Sequence, residues 1–484
     1  MPNRLRAAAA ALALLFPALP LAAQQPMTLA DAIRRAQDQS HQAQGARATL
    51  EAARYRDRGF YSRLLPQVSL GGTVPSYNRS IIQVVQPDGS TLFRPQDQTS
   101  AALTATVTQR LPVVGGDFFV TSSLARLAVT GQQSLTTWSS TPVSFGLRQP
   151  IFRPNTLEWD KREQPIRFDL AERQYREARE DVALTTTGLF FDHYAARTAL
   201  ANATTNAAVN DTLYTLNKGR FEVGKIGEND LLQSELALLR SRNALDAARL
   251  EFDRTQAALR LGLNLPAGTP VEIVVSADVP VIEADTTRAV NEALRNRSVV
   301  TDAQLQEVQA DRRVTEAKLT NGWGATVQAS YGFNATGADR QLAYQNLLEA
   351  RQFSLGVDLP LIRWGARKEA VRAAQADRDR VATTSAGALE QAAQEAHFAA
   401  LGLAQARRTL ELSAKADTVA GKRFEVAYNR YVIGRINIDN LYLAQSEKDQ
   451  ALNQFVQAIR GYWTAYYRLR RATLFDFEAN QPIH

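Results

Sequence analysis

The sequence predicts an α+β protein built from two repeats, each made of a helix, a set of strands and a long helical hairpin. Three observations carry that reading. A short tip motif occurs twice, once in each half of the chain. Helical periodicity runs for more than 60 residues ahead of each copy. Before each of those long helices the hydrophobic period drops from 3.6 to 2, which is the change from helix to strand.

The first tip reads Arg220-Phe221-Glu222-Val223-Gly224-Lys225-Ile226 and the second, 210 positions on, Arg430-Tyr431-Val432-Ile433-Gly434-Arg435-Ile436. Arg220 matches Arg430, Phe221 matches Tyr431, Gly224 matches Gly434, Ile226 matches Ile436 and Leu231 matches Leu441. Each copy reads as a helix end. Gly just past the last turn supplies a left-handed cap, and an Asn or Asp two to six residues further on caps the next helix.

Composition removes several classes of function. With no cysteine there is no disulfide, zinc ribbon, thiol nucleophile or lipidated N-terminal cysteine. The net charge of +7 is spread along helices with bases and acids interleaved, as in Glu172-Arg173-Gln174-Tyr175-Arg176-Glu177, so no nucleic-acid partner is expected. His41, His193, His397 and His484 lack metal-ligand spacing, and there is no phosphate loop, serine elbow or zincin motif. The expectation is no enzyme, no cofactor and no metal.

Arg4 and Arg6 precede an apolar run from Ala7 to Leu19 and small residues at Ala22-Ala23, the pattern of a cleaved secretory leader over residues 1–23. Beyond it no apolar stretch is long enough to cross a bilayer as a helix, which leaves a soluble extracytoplasmic protein or a β-barrel. The two repeats then occupy residues 24–280, with a tip near 219–230, and 281–484, with a tip near 430–440.

Thr28 with Asp31 three residues on reads as a capping-box start for a helix to about Gly59, stopped by Leu65-Pro66. Val68, Leu70, Gly72 and Val74 alternate with polar or small residues as a first strand. After an expected loop from Pro75 to Thr99, Ala101, Leu103, Ala105 and Val107 alternate with Thr104, Thr106 and Thr108. Phe118, Val120 and Leu124 make a weaker third strand, and Val143, Phe145, Leu147, Gln149 and Ile151 a fourth. Such strands of 9–11 residues fit a transmembrane barrel or a half-buried soluble sheet equally.

A helix from Asn155 to about Gly219, with a kink expected at Pro165, would be about 90–100 Å long. The return helix from Glu228 to Leu263 carries Leu231, Ser234, Leu238, Ser241, Leu245, Ala248, Phe252, Thr255 and Leu259 at alternating steps of three and four, a coiled-coil seam. Val271 to Val275 is a short strand candidate. The second half repeats the plan: a helix from Thr287 to Leu319, strands around Ala325–Phe333 and Phe353–Leu361, a long helix from Ala366 with the seam Leu389, Ala393, Ala396, Ala400, Leu403, the second tip, and a return helix to about Arg471.

The order of these pieces resembles the TolC family of outer-membrane efflux proteins. The residues carrying the resemblance are Met27-Thr28-Leu29-Ala30-Asp31-Ala32-Ile33, Leu65-Pro66, Gln149-Pro150-Ile151-Phe152, Leu359-Pro360-Leu361-Ile362 and the paired tips. The resemblance implies a membrane protein: a homotrimer in the cell outer membrane, its β-barrel in contact with lipid and continued by an α-helical barrel in the periplasm. It implies docking to a periplasmic adaptor and an inner-membrane pump, as a passive exit duct for small toxic compounds. Thr104, Thr106, Arg148, Gln328, Ser330 and Asp358 would then face the water-filled lumen. Arg220, Phe221, Gly224, Asp230, Arg430, Tyr431, Gly434, Arg435, Asp439 and Asn440 would form the periplasmic gate and docking tips.

The chain departs from the family pattern at the tips and in the strands. Tyr431 and Asp230 match a gating tyrosine and an acid it works with. The family's gating arginine falls on Ile436, its first selectivity acid on Asn440 and the next ring position on Leu443, with Arg435 and Asp439 as neighbours. The family has two strands per half, whereas the first half here offers four. Either the barrel is larger or Val113 to Leu124 forms an extra hairpin or irregular loop, and the expectation is the ordinary barrel with that added excursion. Other readings left open are a duct for type I polypeptide secretion, a non-pore coiled-coil scaffold and a porin-like uptake channel.

Overall fold

A computed structural model describes residues 26–130, 134–276 and 279–483, so the expected leader at 1–23 lies outside the described residues. The chain divides into two compact units: residues 1–36 with 186–280, and residues 37–185 with 281–484.

The N-terminal pattern expected as one helix is two, α1 (Leu29–Gln39) and α2 (His41–Ser62). Thr28 caps α1 as expected, donating to Asp31 Oδ2 at 2.7 Å while its hydroxyl accepts from the Asp31 N–H at 3.2 Å. The break falls at Ser40, whose extended backbone lets its hydroxyl accept from the Ala43 N–H and start a new helix. The same division recurs in the second half, where α5 (Thr286–Asn296) and α6 (Ser298–Thr320) meet at an extended Arg297.

Between α2 and the first long helix lie β1 (Gln67–Val85), β2 (Thr91–Leu111), β3 (Gly116–Thr130) and β4 (Leu135–Ile151). After α6 come β5 (Gly324–Gly337) and β6 (Leu348–Asp358). All six form one antiparallel sheet in chain order. Two expectations are corrected here. Residues 75–99 are not a loop: β1 and β2 stay paired almost to a tight turn at Gln86–Ser90. A bulge between Thr73 and Ser76 inverts the phase, so Tyr77 and Ile81 continue the face that Val68 and Leu70 begin, and the alternation looks broken when read straight through. Nor is Val113–Leu124 an excursion, because β3 is laddered along its length between β2 and β4, and pairing on both sides outweighs its Ser- and Arg-containing sequence.

The long helices are α3 (Thr156–Glu222), α4 (Glu228–Gly262), α7 (Ala366–Val432) and α8 (Ile438–Thr473). Pro165 lies within α3, which continues through it as one element of 67 residues. In the first unit the expected α4 seam is buried at Ser234, Leu238, Ser241, Thr255 and Leu259, while Leu232, Leu236 and Leu239 are exposed. Phe190, Phe191, Leu213 and Leu263 complete that core. The Val271–Val275 candidate is reduced to a single parallel bridge between Ile273 and Met27.

In the second unit α7 buries a stripe of small residues, Ala392, Ala396, Ala399 and Ala400, beside Leu403. Small side chains admit the close approach that a helix pair of this length needs. The C-terminal end of α8 buries Tyr462, Tyr466 and Leu469, and the chain finishes in a short hairpin of β7 (Phe475–Asp476) and β8 (Gln481–Pro482).

Candidate functional site

Both tips end their first helix in the same hydrogen-bond pattern. In the first, Gly224 has φ of +67°, its N–H donates to Phe221 O at 2.8 Å and the Lys225 N–H donates to Arg220 O at 2.8 Å. In the second, Gly434 has φ of +77°, and the matching bonds run from Gly434 to Tyr431 O at 2.9 Å and from Arg435 to Arg430 O at 2.8 Å. These are the two bonds of a Schellman cap, and they account for the repeated Arg-aromatic-x-x-Gly spacing. An added Cβ would meet nothing within 4 Å at either glycine, so backbone conformation alone selects the residue.

The helix starts after the caps differ. Asn437 caps α8, accepting from the Asn440 N–H at 3.1 Å. The expected Asn or Asp cap is absent from α4: Gly227 holds that place without a side-chain bond, and Asp230 lies in the first turn, where its charge complements the helix dipole.

Arg220, Phe221, Gly224 and Asp230 belong to the first unit and Arg430, Tyr431, Gly434, Arg435, Asp439 and Asn440 to the second. The matched aromatics have different surroundings, since Phe221 is 40% exposed and Tyr431 only 4%. Tyr442 sits near Tyr431, and burial, with Tyr431 adding to it, pushes its hydroxyl above the usual tyrosine range. That hydroxyl is enclosed and makes no hydrogen bond, a feature the motif comparison did not single out. Arg430, Arg435, Asp439 and Asn440 are exposed, as is Leu443.

The sheet sorts its side chains by polarity. Pairing places Val68, Leu70, Leu103, Ala105, Val107, Val120, Leu124, Phe145, Leu147, Val327, Ala329, Phe353, Leu355 and Val357 on one face. The opposite face carries Thr104, Thr106, Arg148, Gln328, Ser330 and Asp358, all six of the expected lumen residues, along with Ser69, Asp117, Thr121 and Ser354. Arg148 is opposite Asp117 on one side and Gln328 on the other. Asp358 is ion-paired with Arg153.

Aromatic rings stand at both ends of the sheet, Phe152 and Trp323 just outside β4 and β5 and Trp138 within β4. Phe152 and Trp323 are 4.2 Å apart near the helices, and Arg126 lies over Trp138 toward the far end. An apolar band between aromatic rings, with polar residues behind it, is the dyad pattern of a lipid-facing barrel wall. Among the described residues no helix is long and apolar enough to cross a membrane.

Residues 32–265 match the model of the outer membrane efflux protein family. That is the family the motifs pointed to, and its members are channels rather than enzymes. Solved structures agree on the fold. The CmeC outer membrane channel of Campylobacter jejuni superposes with a TM-score of 0.67 at 16% identity, covering 94% of this chain and 86% of that one. The outer membrane protein VceC of Vibrio cholerae gives 0.65 at 13% identity, covering 94% and 97%. The open-state MtrE outer membrane channel of Neisseria gonorrhoeae gives 0.62 at 14% identity, covering 92% and 88%. No match is found among curated proteins.

The sequence reading also missed a partly buried ion network in the second unit. Arg470 donates to Glu180 at 3.1 Å and to Asp476 at 2.5 Å, and lies over Tyr466 and Tyr467. Arg471 pairs with Asp181 at 2.8 Å and Glu177 at 3.6 Å, and Arg297, at the α5–α6 break, bonds Glu395 at 2.5 Å. A second node joins Arg312 to Asp160, Glu163 and Glu316. Among the described residues no group of three or more His, Cys, Asp and Glu is placed to hold a metal.

Proposed function

We propose that the protein is a passive exit duct of a tripartite efflux system. Three copies form a barrel in the outer membrane, continued into the periplasm by the paired long helices, and the tips dock onto a periplasmic adaptor fed by an inner-membrane pump. The observation that carries this reading is the six-stranded sheet with one apolar and one polar face, whose helices all attach at one end. Such a sheet is stable in a bilayer only if its edges close on other copies.

Within this reading the polar face lines the water path, and the tips hold the periplasmic end nearly closed. Tyr431, buried in the second tip, and Asp230, in the first turn of α4, are the residues this reading assigns to closure. Selection of cargo belongs to the pump. The duct carries small toxic compounds without consuming energy.

Single-channel conductance of detergent-purified protein in planar bilayers tests the proposal, with Tyr431→Ala and Asp230→Ala beside the wild type. A small, steady wild-type conductance that rises in both variants is expected. Conductance unchanged by either substitution would remove these residues from the gate, and no conductance from folded trimer would sink the duct.

A further inference from the structure

We infer that the wall of this duct is an eighteen-stranded barrel, wide enough at its outer-membrane end to pass solutes that a twelve-stranded wall would exclude. The inference rests on the trimeric reading above and adds the dimension of the pore. Four strands per chain, as the family resemblance implies, would give three copies twelve strands; the six observed here give eighteen.

The extra pair is part of the wall. β2 and β3 are laddered to each other without a break and to β1 and β4 with one register shift each, from Gln67 opposite Thr108 through Asp117 opposite Arg148. Their apolar residues Leu103, Val107, Val120 and Leu124 extend the face that β1 and β4 present, and Thr104, Thr106, Thr121 and Ser123 extend the polar one. A hairpin folded into the lumen or out over the mouth would leave these two-faced strands with one face in the wrong solvent.

The sheet is open, with β1 and β6 at its edges. Those strands carry some of the most exposed apolar side chains of the chain, Val68 at 77%, Leu70 at 73% and Phe353 at 72%. An open edge cannot stand in hydrocarbon, so it must find a partner strand. One copy cannot supply it. Eight strands enclose only enough room for packed side chains, and six would have to swallow Arg148, Gln328 and Phe119, the last with its ring over Gly146. A second copy can. β1 leaves the helical end and β6 returns to it, so β6 of one copy meets β1 of the next antiparallel, and three copies close an even-numbered up-and-down wall.

Strands about 4.8 Å apart and tilted about 40° give a backbone radius of about 18 Å for eighteen strands and about 12 Å for twelve. Allowing about 5 Å for inward side chains leaves free radii of about 13 Å and about 7 Å, a cross-section about three and a half times larger. The lining contributed by β1 and β2 is rich in hydroxyl and amide groups, including Ser69, Thr73, Ser76, Asn78, Gln98, Ser100, Thr104 and Thr106, which hold water without strong charge selection. Bulky hydrophilic solutes and extended polypeptide therefore pass this section, and size selection falls on the helical tips.

The test is electron cryo-microscopy of the full-length protein in lipid nanodiscs, paired with exclusion of graded polyethylene glycols added only on the barrel side of a planar bilayer. Eighteen strands around the axis, with entry of polymers of about 10 Å hydrodynamic radius, is the expected result. A trimer whose wall counts twelve strands, with β2 and β3 outside it or with those polymers excluded, overturns the wide barrel and leaves the duct intact. Protein that forms no trimer overturns the duct reading itself.

Discussion

Glu180 is the most informative single residue to remove. Its side chain is 2% exposed and accepts from Arg470 at 3.1 Å and 3.4 Å, while Arg470 is itself 18% exposed and bonded to Asp476 and the Tyr466 hydroxyl. Breaking a buried pair by deleting one partner costs about 3–5 kcal/mol, because the surviving charge stays desolvated. Asp476 still neutralises Arg470 in Glu180→Ala, which puts the expected loss at about 3 kcal/mol. Replacing both residues, as in Glu180→Leu with Arg470→Met, removes the charge that Glu180→Ala strands but leaves Asp476 without its arginine, so only part of that loss is expected to be recovered, and adding Asp476→Asn to the double variant is expected to recover the rest. Urea unfolding in detergent, read by the fluorescence of Trp463 in the adjoining aromatic cluster, reports all the variants of the cycle. A loss below about 1 kcal/mol for Glu180→Ala, or a double variant as unstable as the sum of the singles, would refute the view that these charges are coupled through desolvation.

Three further outcomes follow from the same geometry. Gly434→Ala and Gly224→Ala each force a side chain into a left-handed cap and cost about 1–2 kcal/mol, seen as faster amide exchange confined to that tip. Asn437→Ala removes the side-chain cap of α8 and costs about 1 kcal/mol, whereas Gly227→Ala at the equivalent start of α4 loses no side-chain bond; amide exchange in the first turns of the two helices compares them. His193 is fully enclosed, and burial, reinforced by Arg197 and Arg260, pushes its pKa below the ordinary value of 6.5. The unfolded chain therefore binds the proton more readily, so stability is full above pH 6.5 and falls as the pH drops toward the lowered folded value. Melting curves between pH 7 and pH 5 should show that fall in wild type and a smaller one in His193→Phe.

Much of the architecture was legible because it is written in local rules. The two Schellman caps follow from Gly224 and Gly434, the long helices from unbroken 3.6-residue periodicity, and the sheet faces from alternation at Leu103–Val107 and Val143–Leu147. Local rules also misled. Pro75, Asn78, Arg79 and Pro95 are poor strand formers, and the bulge beside Pro75 shifts the phase, so paired strands read as a loop. Ser40 and Arg297 sit inside good helical patterns, yet each adopts the extended conformation and divides a helix in two.

The sequence alone determined the two-repeat order and which residues are polar or apolar along each strand, since each of these depends on neighbours within a few positions. Only the tertiary structure decided the number of strands in the sheet, the burial of Tyr431 against the exposure of Phe221, and the meeting of Glu180 with Arg470 across 290 residues. Strand pairing and buried ion pairs join positions far apart in the chain, and their energy depends on which surfaces are withdrawn from solvent together, a property that no stretch of sequence holds by itself.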